Sequence, residues 1–116
     1  MKKLFFIGTL VFPMVLQAQV YRGSIDKYPI VFERSQDAYR SWKARYYYTS
    51  VKKDIQLNFD EEDTTILCTF PDENNMHEEF ALKENGNKLT GTWTYKGKTL
   101  RVDLTADFNI KDAYNV

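Results

Sequence analysis

The sequence predicts an all-β protein, an antiparallel up-and-down meander of about eight strands that forms a small barrel or a strongly curved open sheet. The clearest strand is 89–95, where Leu, Gly, Trp and Tyr alternate with threonine. A period of two indicates one buried face and one wet face. Gly-containing turns flank this stretch, and the same unit of strand and polar turn repeats along the chain. No long stretch has the i, i+3, i+4 spacing of a helix.

The first 18 residues predict a secretory signal peptide. Lys2 and Lys3 precede an apolar run at 4–16, and the chain then turns polar around Ala18. The run is shorter than the roughly 20 residues of a membrane span, and Gly8 and Pro13 argue against a buried helix. The residue directly after Ala18 is Gln19 and not a cysteine, so the pattern is not that of a lipoprotein. The short lysine start is typical of bacteria, which predicts a periplasmic or secreted protein.

The mature chain has the length of one domain. We assign 19–106 to the β-meander and 107–116, which shows no clear pattern, to a tail or the truncated start of further sequence. No second long apolar run is present, so no membrane span is predicted in the mature chain. Cys68 is the single cysteine and cannot form an internal disulfide, so the aromatic residues must supply the core.

Alternation predicts strands at 20–25, 28–35, 40–50, 54–59, 64–70, 76–83, 89–95 and 99–105. Short turns between them make hairpins, and the longer connections are an acidic turn at 60–63 and a loop at 71–75. In the third strand the face expected to be apolar holds Trp42, Ala44, Tyr46 and Tyr48. In the fifth strand it holds Ile66, Cys68 and Phe70, and in the sixth Glu78, Phe80 and Leu82. The opposite face of the third strand holds Lys43, Arg45 and Tyr47.

Five short segments carry a resemblance to a known group: YRGSI at 21–25, KYPIV at 27–31, RYYY at 45–48, DIQL at 54–57 and LTGTW at 89–93. Together they resemble an N-terminal β domain of uncharacterised secreted bacterial proteins, over about 21–104. The resemblance implies a β fold that is often followed by further sequence, and it implies no catalytic residues. A Gly-x-Trp motif also occurs in lipocalins, but on the first strand, whereas here it lies on the seventh.

Three groups of residues have the chemistry of a metal site or a nucleophile. His77 and Glu79 share a strand face and would need a third metal ligand from 72–73, but zinc sites usually use more His or Cys. The acidic run 60–63 lacks the Gly and the spacing of a calcium loop. Cys68 lies between apolar neighbours and is expected to be buried and inert. We therefore predict no catalytic residues, no metal and no cofactor, and that the protein is not an enzyme.

An aromatic set is the candidate ligand site. Its members fall on inward faces, where they would line a pocket for an aromatic or apolar molecule, or would simply fill the barrel. The tyrosine hydroxyls favour the first alternative, because each needs a partner when buried. The set is Trp42, Tyr46, Tyr48, Trp93 and Tyr95.

Charge is distributed unevenly along a chain of zero formal net charge. Such a balance gives no general attraction to nucleic acid. Alternate turns of a meander share one end, so the acidic residues would gather at one end of the sheet, as a solvated rim or as a docking surface for a basic protein or a cation. This set is Asp37, Asp60, Glu61, Glu62, Asp63 and Glu84.

These patterns favour a secreted or periplasmic, non-catalytic binding or interaction module. The alternative is a carrier of a small apolar or aromatic ligand inside a lipocalin-like barrel. A metal-dependent enzyme or hydrolase is the least supported interpretation.

The signal peptide generates a prediction about processing. The exported protein should begin at Gln19, within a residue or two, because the basic start, apolar run and Ala18 form one cleavage signal. N-terminal sequencing of exported protein tests this. Recovery of Met1 or Lys2 would contradict it.

Overall fold

The computed structural model describes residues 17–71 and 77–108, which form a closed eight-stranded barrel. Each strand pairs antiparallel with the next, and β8 pairs with β1 to close the sheet. The up-and-down meander is confirmed, and of the two predicted forms the chain adopts the barrel. The strands are β1 (Gln17–Ile25), β2 (Tyr28–Gln36), β3 (Trp42–Tyr48), β4 (Ile55–Glu62), β5 (Thr65–Pro71), β6 (His77–Asn85), β7 (Lys88–Tyr95) and β8 (Lys98–Ala106).

The acidic turn expected at 60–63 is wrong. Strand β4 continues to Glu62, where it pairs with Thr65, and the turn consists of Asp63 and Thr64 alone. Both turn residues have positive φ, 50° and 76°, as a tight two-residue hairpin requires. Exposed carboxylates can lie on a strand whose backbone groups are paired. The acidic composition therefore wrongly predicted that the fourth strand ends before Asp60. Pro71, expected to begin the loop at 71–75, is the last residue of β5, and the other loop positions lie outside the described residues.

Strand β3 is shorter than predicted because both of its flanking connections are structured. Asp37 Oδ1 accepts hydrogen bonds from the backbone N–H groups of Tyr39 (2.8 Å) and Ser41 (2.9 Å), which fixes the 37–41 connection. After Tyr48 the chain turns away, and the N–H groups of Val51 and Lys52 donate to the Tyr48 carbonyl. The β3–β4 ladder has only three residue pairs as a result.

Three aromatic rings fill the centre of the barrel. Phe80 makes edge-to-face contacts with Phe32 (5.6 Å between ring centroids) and with Tyr46 (4.9 Å), and all three are buried. Aliphatic side chains from several strands and Cys68 surround them, so the hydrophobic effect stabilises the closed sheet. The predicted burial of Cys68 is confirmed, and burial raises the pKa of its thiol to about 12. The other members of this core include Ile25, Ile30, Ile66, Leu82, Leu89, Val102 and Leu104.

A second, smaller cluster lies on the outer face of β1–β3. Val20, Val31 and Tyr47 are buried together there, although Tyr47 belongs to the face expected to be polar. Cross-strand pairing explains this burial, because Val31 lies directly opposite Tyr47. Beside them Arg45 donates to Glu33 at 2.5 Å, an ion pair that shares this outer face.

Two glycines allow strands to approach closely where the barrel bends. A Cβ atom at Gly91 would lie 1.9 Å from the carbonyl oxygen of Ala81, and one at Gly23 would lie 1.9 Å from that of Asp103. No real side chain tolerates such a contact, so the backbones themselves would have to separate. Gly91 is therefore a steric requirement of the β6–β7 ladder.

This generates a prediction for Gly91→Ala. The added methyl group should push β6 and β7 apart and lower the free energy of unfolding by about 1–3 kcal/mol or more. Denaturant unfolding measures the change. Thr92→Ala is the matched control, because Thr92 is exposed on the other face of the same strand and should cost less than about 1 kcal/mol. Equal effects of the two substitutions would contradict the steric role of Gly91.

Candidate ligand-binding site

The two ends of the barrel are chemically different. At one end, named here the Arg34 end, lie the connections 37–41, 63–64 and 86–87. At the other, named the Glu78 end, lie the connections 26–27, 49–54 and 96–97. Alternate connections share an end because the strands run up and down in chain order.

A cross-barrel ion pair fills the Arg34 end. Arg34 points inward from β2, and its Nη2 lies 2.9 Å from Glu84 Oε2 on β6, the strand diametrically opposite. Its Nε also donates to Gln19 Oε1 at 2.6 Å. The Arg34 side chain is only 9% exposed, so these partners offset the desolvation of its charge.

Aromatic rings complete this end around the guanidinium group. The Arg34 Cζ lies 5.7 Å from the ring centroid of Tyr21 and 5.6 Å from that of Trp42. Trp42 in turn stacks on Phe59, with centroids 5.7 Å apart. These contacts are cation–π and stacking interactions between side chains, and they leave the Arg34 end packed.

At the Glu78 end, one inward carboxylate joins three strands. Glu78 Oε1 on β6 accepts hydrogen bonds from the Tyr46 hydroxyl on β3 (2.5 Å) and from the Trp93 Nε1–H on β7 (3.0 Å). Tyr48 packs edge-to-face on Tyr46, with centroids 5.6 Å apart. Burial and the Glu78 carboxylate raise the pKa of Tyr46 far above its ordinary value, and burial also raises that of Tyr48.

Above this arrangement the barrel opens into a cavity of about 260 Å³, named here the cup. Its walls are mostly aromatic and aliphatic, and they come from β1, β2, β3, β7 and β8 together with the β7–β8 turn. The cup lies at the mouth of the barrel, because the rings of Phe32, Tyr46 and Phe80 fill the centre. Its lining residues are Ile25, Tyr28, Tyr48, Trp93, Tyr95, Lys96, Lys98 and Leu100.

Lysines stand at the rim of the cup. Lys96 Nζ lies 5.2 Å from the centroid of the Tyr95 ring, and Lys27 Nζ lies 5.6 Å from that of Tyr28. Lys98 is exposed and belongs to the lining itself. The cup therefore combines an apolar interior, which suits an aromatic or aliphatic group, with cationic groups where a ligand would meet solvent.

The structure divides the predicted aromatic set. Tyr48, Trp93 and Tyr95 line the cup, and Tyr46 lies beneath it, where it holds Glu78. Trp42 faces inward as expected but belongs to the packed Arg34 end. A role in ligand binding stays a prediction for each of these residues.

Sequence reasoning missed Tyr28, Lys96 and Lys98 as members of the site. They come from hairpins at opposite ends of the domain sequence, which meet only because β1 pairs with β8. Barrel closure, one of the two forms that the sequence predicts, places the 26–27 and 96–97 turns side by side.

The predicted acidic set gathers at the Arg34 end without forming a purely acidic surface. Asp37 caps its own loop, and Glu84 is paired with Arg34. The carboxylates of 60–62 project from alternate faces of β4, and the basic residues Arg40 and Lys83 share this end. Docking of a basic partner by Asp37, Asp60, Glu61, Glu62, Asp63 and Glu84 stays a prediction.

Other chemistry finds no assembled site in the residues described. His77 is exposed on β6, and within 17–71 and 77–108 no three His, Cys, Asp or Glu side chains are grouped for a metal ion. The same ranges contain no helix long and apolar enough to cross a membrane. Comparisons of the chain with protein-family models, with curated proteins and with solved structures find no match.

The raised pKa of Tyr46 generates a prediction about pH. Because the pKa of Tyr46 is higher in the folded protein than in the unfolded chain, the unfolded chain loses the tyrosine proton at lower pH. The contribution of Tyr46 to the free energy of unfolding is therefore fully present below about pH 10 and falls as the pH rises further. Denaturant unfolding between about pH 8 and 11 should show this fall, and Tyr46→Phe should make it shallower.

Tyr39→Phe is the matched control, because Tyr39 is 90% exposed. Its stability should follow that of the natural protein at every pH. If Tyr46→Phe also ran parallel to the natural protein, burial and the Glu78 carboxylate would not raise the pKa of Tyr46 in solution.

Proposed function

We propose that this chain is a non-catalytic, exported binding module that holds one small apolar or aromatic ligand in the cup. The observation that carries the proposal is the aromatic wall formed by Tyr28, Tyr48, Trp93 and Tyr95 around an open cavity. At about 260 Å³ the cup lies just below the usual size of small-molecule pockets, roughly 300–1,000 Å³. Its ligand would therefore have one or two rings.

A small β-barrel is compatible with either a binding module or a lipocalin-like carrier. Here the filled centre favours binding at the mouth over enclosure deep within the barrel, because Phe32 and Phe80 have no exposed surface. A ligand in the cup would keep one side in water. Such a site suits reversible capture better than long-term sequestration.

The cup wall is held in place before any ligand arrives. Trp93 is oriented by its hydrogen bond to Glu78, and Tyr48 by the ring of Tyr46. Side chains that are already ordered lose little conformational entropy on binding. The ordered wall therefore favours binding even though the contact area with the ligand is small.

Export is supported by the sequence alone. Cleavage after Ala18 would remove two residues of β1 and leave Gln19, whose side chain accepts a hydrogen bond from Arg34. Val20 and Tyr21, both buried, would remain in the mature barrel. Periplasmic or extracellular localisation is thus part of the proposal.

The proposal predicts binding of a neutral single-ring probe, 4-phenylbutanol. Its dissociation constant should be about 4 mM, given about 0.3 kcal/mol per heavy atom. Tyr28→Ala combined with Tyr95→Ala should weaken binding roughly tenfold or more through lost ring contacts. Titration followed by two-dimensional NMR measures both the affinity and the residues that respond.

The matched control is Tyr39→Ala, which removes an exposed tyrosine from the opposite end and should leave binding unchanged. Resonances of the cup residues, above all the Trp93 indole, should shift in the natural protein. Shifts confined to the Arg34 end, or no saturable binding, would refute the cup as the site.

A further inference from the structure

We infer that the ligand of the cup is an amphipathic anion, a molecule with an apolar or aromatic body and a carboxylate head. This inference rests on the proposed function and adds the ligand's charge and orientation. The body would lie against Trp93 and Tyr95, and the carboxylate would face Lys96 and Lys98 at the rim.

The charge of the lining points to an anion. Among the lining residues that the structure describes, the cations are Lys96 and Lys98, and none carries a carboxylate. The inward carboxylate at this end, Glu78, already accepts hydrogen bonds from Tyr46 and Trp93 through one oxygen. A ligand carboxylate at the rim would therefore meet ammonium groups on the wall of the cup.

The surroundings of the cup have the same sign. Among the described connections at the Glu78 end, 26–27, 49–54 and 96–97 contain four lysines and two aspartates. One of those aspartates, Asp54, lies 3.8 Å from Arg45 on the outer face, where it is partly neutralised. The local field thus attracts anions to the mouth of the cup.

The lysine positions suit a ligand that enters with its apolar end first. Lys96 and Lys98 flank Gly97 in the β7–β8 turn, and Lys96 Nζ lies 5.2 Å from the Tyr95 ring centroid. Lysine stems can cover aromatic surface while their ammonium groups remain in water. A head group at the rim would keep part of its hydration and still contact two cations.

The Arg34 end provides an internal contrast. Its inward cation is paired with Glu84 at 2.9 Å and surrounded by Tyr21 and Trp42, so it is committed to the fold. The rim lysines are instead exposed. The Arg34 guanidinium therefore stabilises the packed end of the barrel, whereas the rim lysines would select the ligand of the cup.

The test compares three probes that share one body: 4-phenylbutyrate, 4-phenylbutanol and 4-phenylbutylamine. At low ionic strength the natural protein should bind the acid about three- to tenfold more tightly than the alcohol, and the amine more weakly than the alcohol. The preference for the acid should shrink as salt screens the rim charges. Calorimetric or NMR titration gives the three affinities.

Lys96→Gln combined with Lys98→Gln should abolish the preference for the acid, so that the ratio of the acid affinity to the alcohol affinity falls to about one. Lys43→Gln combined with Lys83→Gln removes the same charge from exposed positions away from the cup and should retain the preference. Circular dichroism establishes that both doubly substituted proteins fold.

The possible outcomes distinguish failure of the inference about the ligand's charge from failure of the proposed function. Equal binding of acid and alcohol, or tighter binding of the amine, would overturn the inference and leave a cup that binds small apolar molecules. A preference for the acid that survives loss of both rim lysines would also overturn it. Failure of all three probes to bind would refute the proposed function itself.

Discussion

The fold depends on two carboxylates of β6 that reach across the barrel interior. Glu78 and Glu84 lie on the same face of that strand, with Phe80 and Leu82 between them. Burial of a charge is costly unless it is partnered. The partly buried Glu78 accepts from Tyr46, and the half-exposed Glu84 is the partner of the buried Arg34. The interior is thereby divided into a packed Arg34 end, a filled centre and an open cup.

Much of the fold could be predicted from alternation. The antiparallel meander and the inward face of β6, including Glu78, follow from the period of two and the short turns. The height of a residue along the barrel axis cannot be predicted from alternation, because it depends on how each strand is staggered against its neighbours. Trp42 and Trp93 therefore appeared as members of one site although they lie at opposite ends.

The remaining errors come from contacts between distant segments. The acidic run 60–62 looked like a turn by composition, but pairing with β5 continues the ladder through it. Alternation places Tyr47 on the face expected to be polar, but Val31 on β2 and Val20 on β1 cover it. The cup itself required closure of β1 on β8, which no local pattern encodes.

If Glu78 fixes the wall of the cup through Trp93, hydrogen exchange at the indole N–H of that residue should depend on the Glu78 carboxylate. The Trp93 indole N–H should exchange slowly in the natural protein and much faster in Glu78→Leu, because its buried acceptor is gone. Trp42, at the other end, serves as the internal reference and should not change. Equally fast exchange of the Trp93 indole in both proteins would contradict the account.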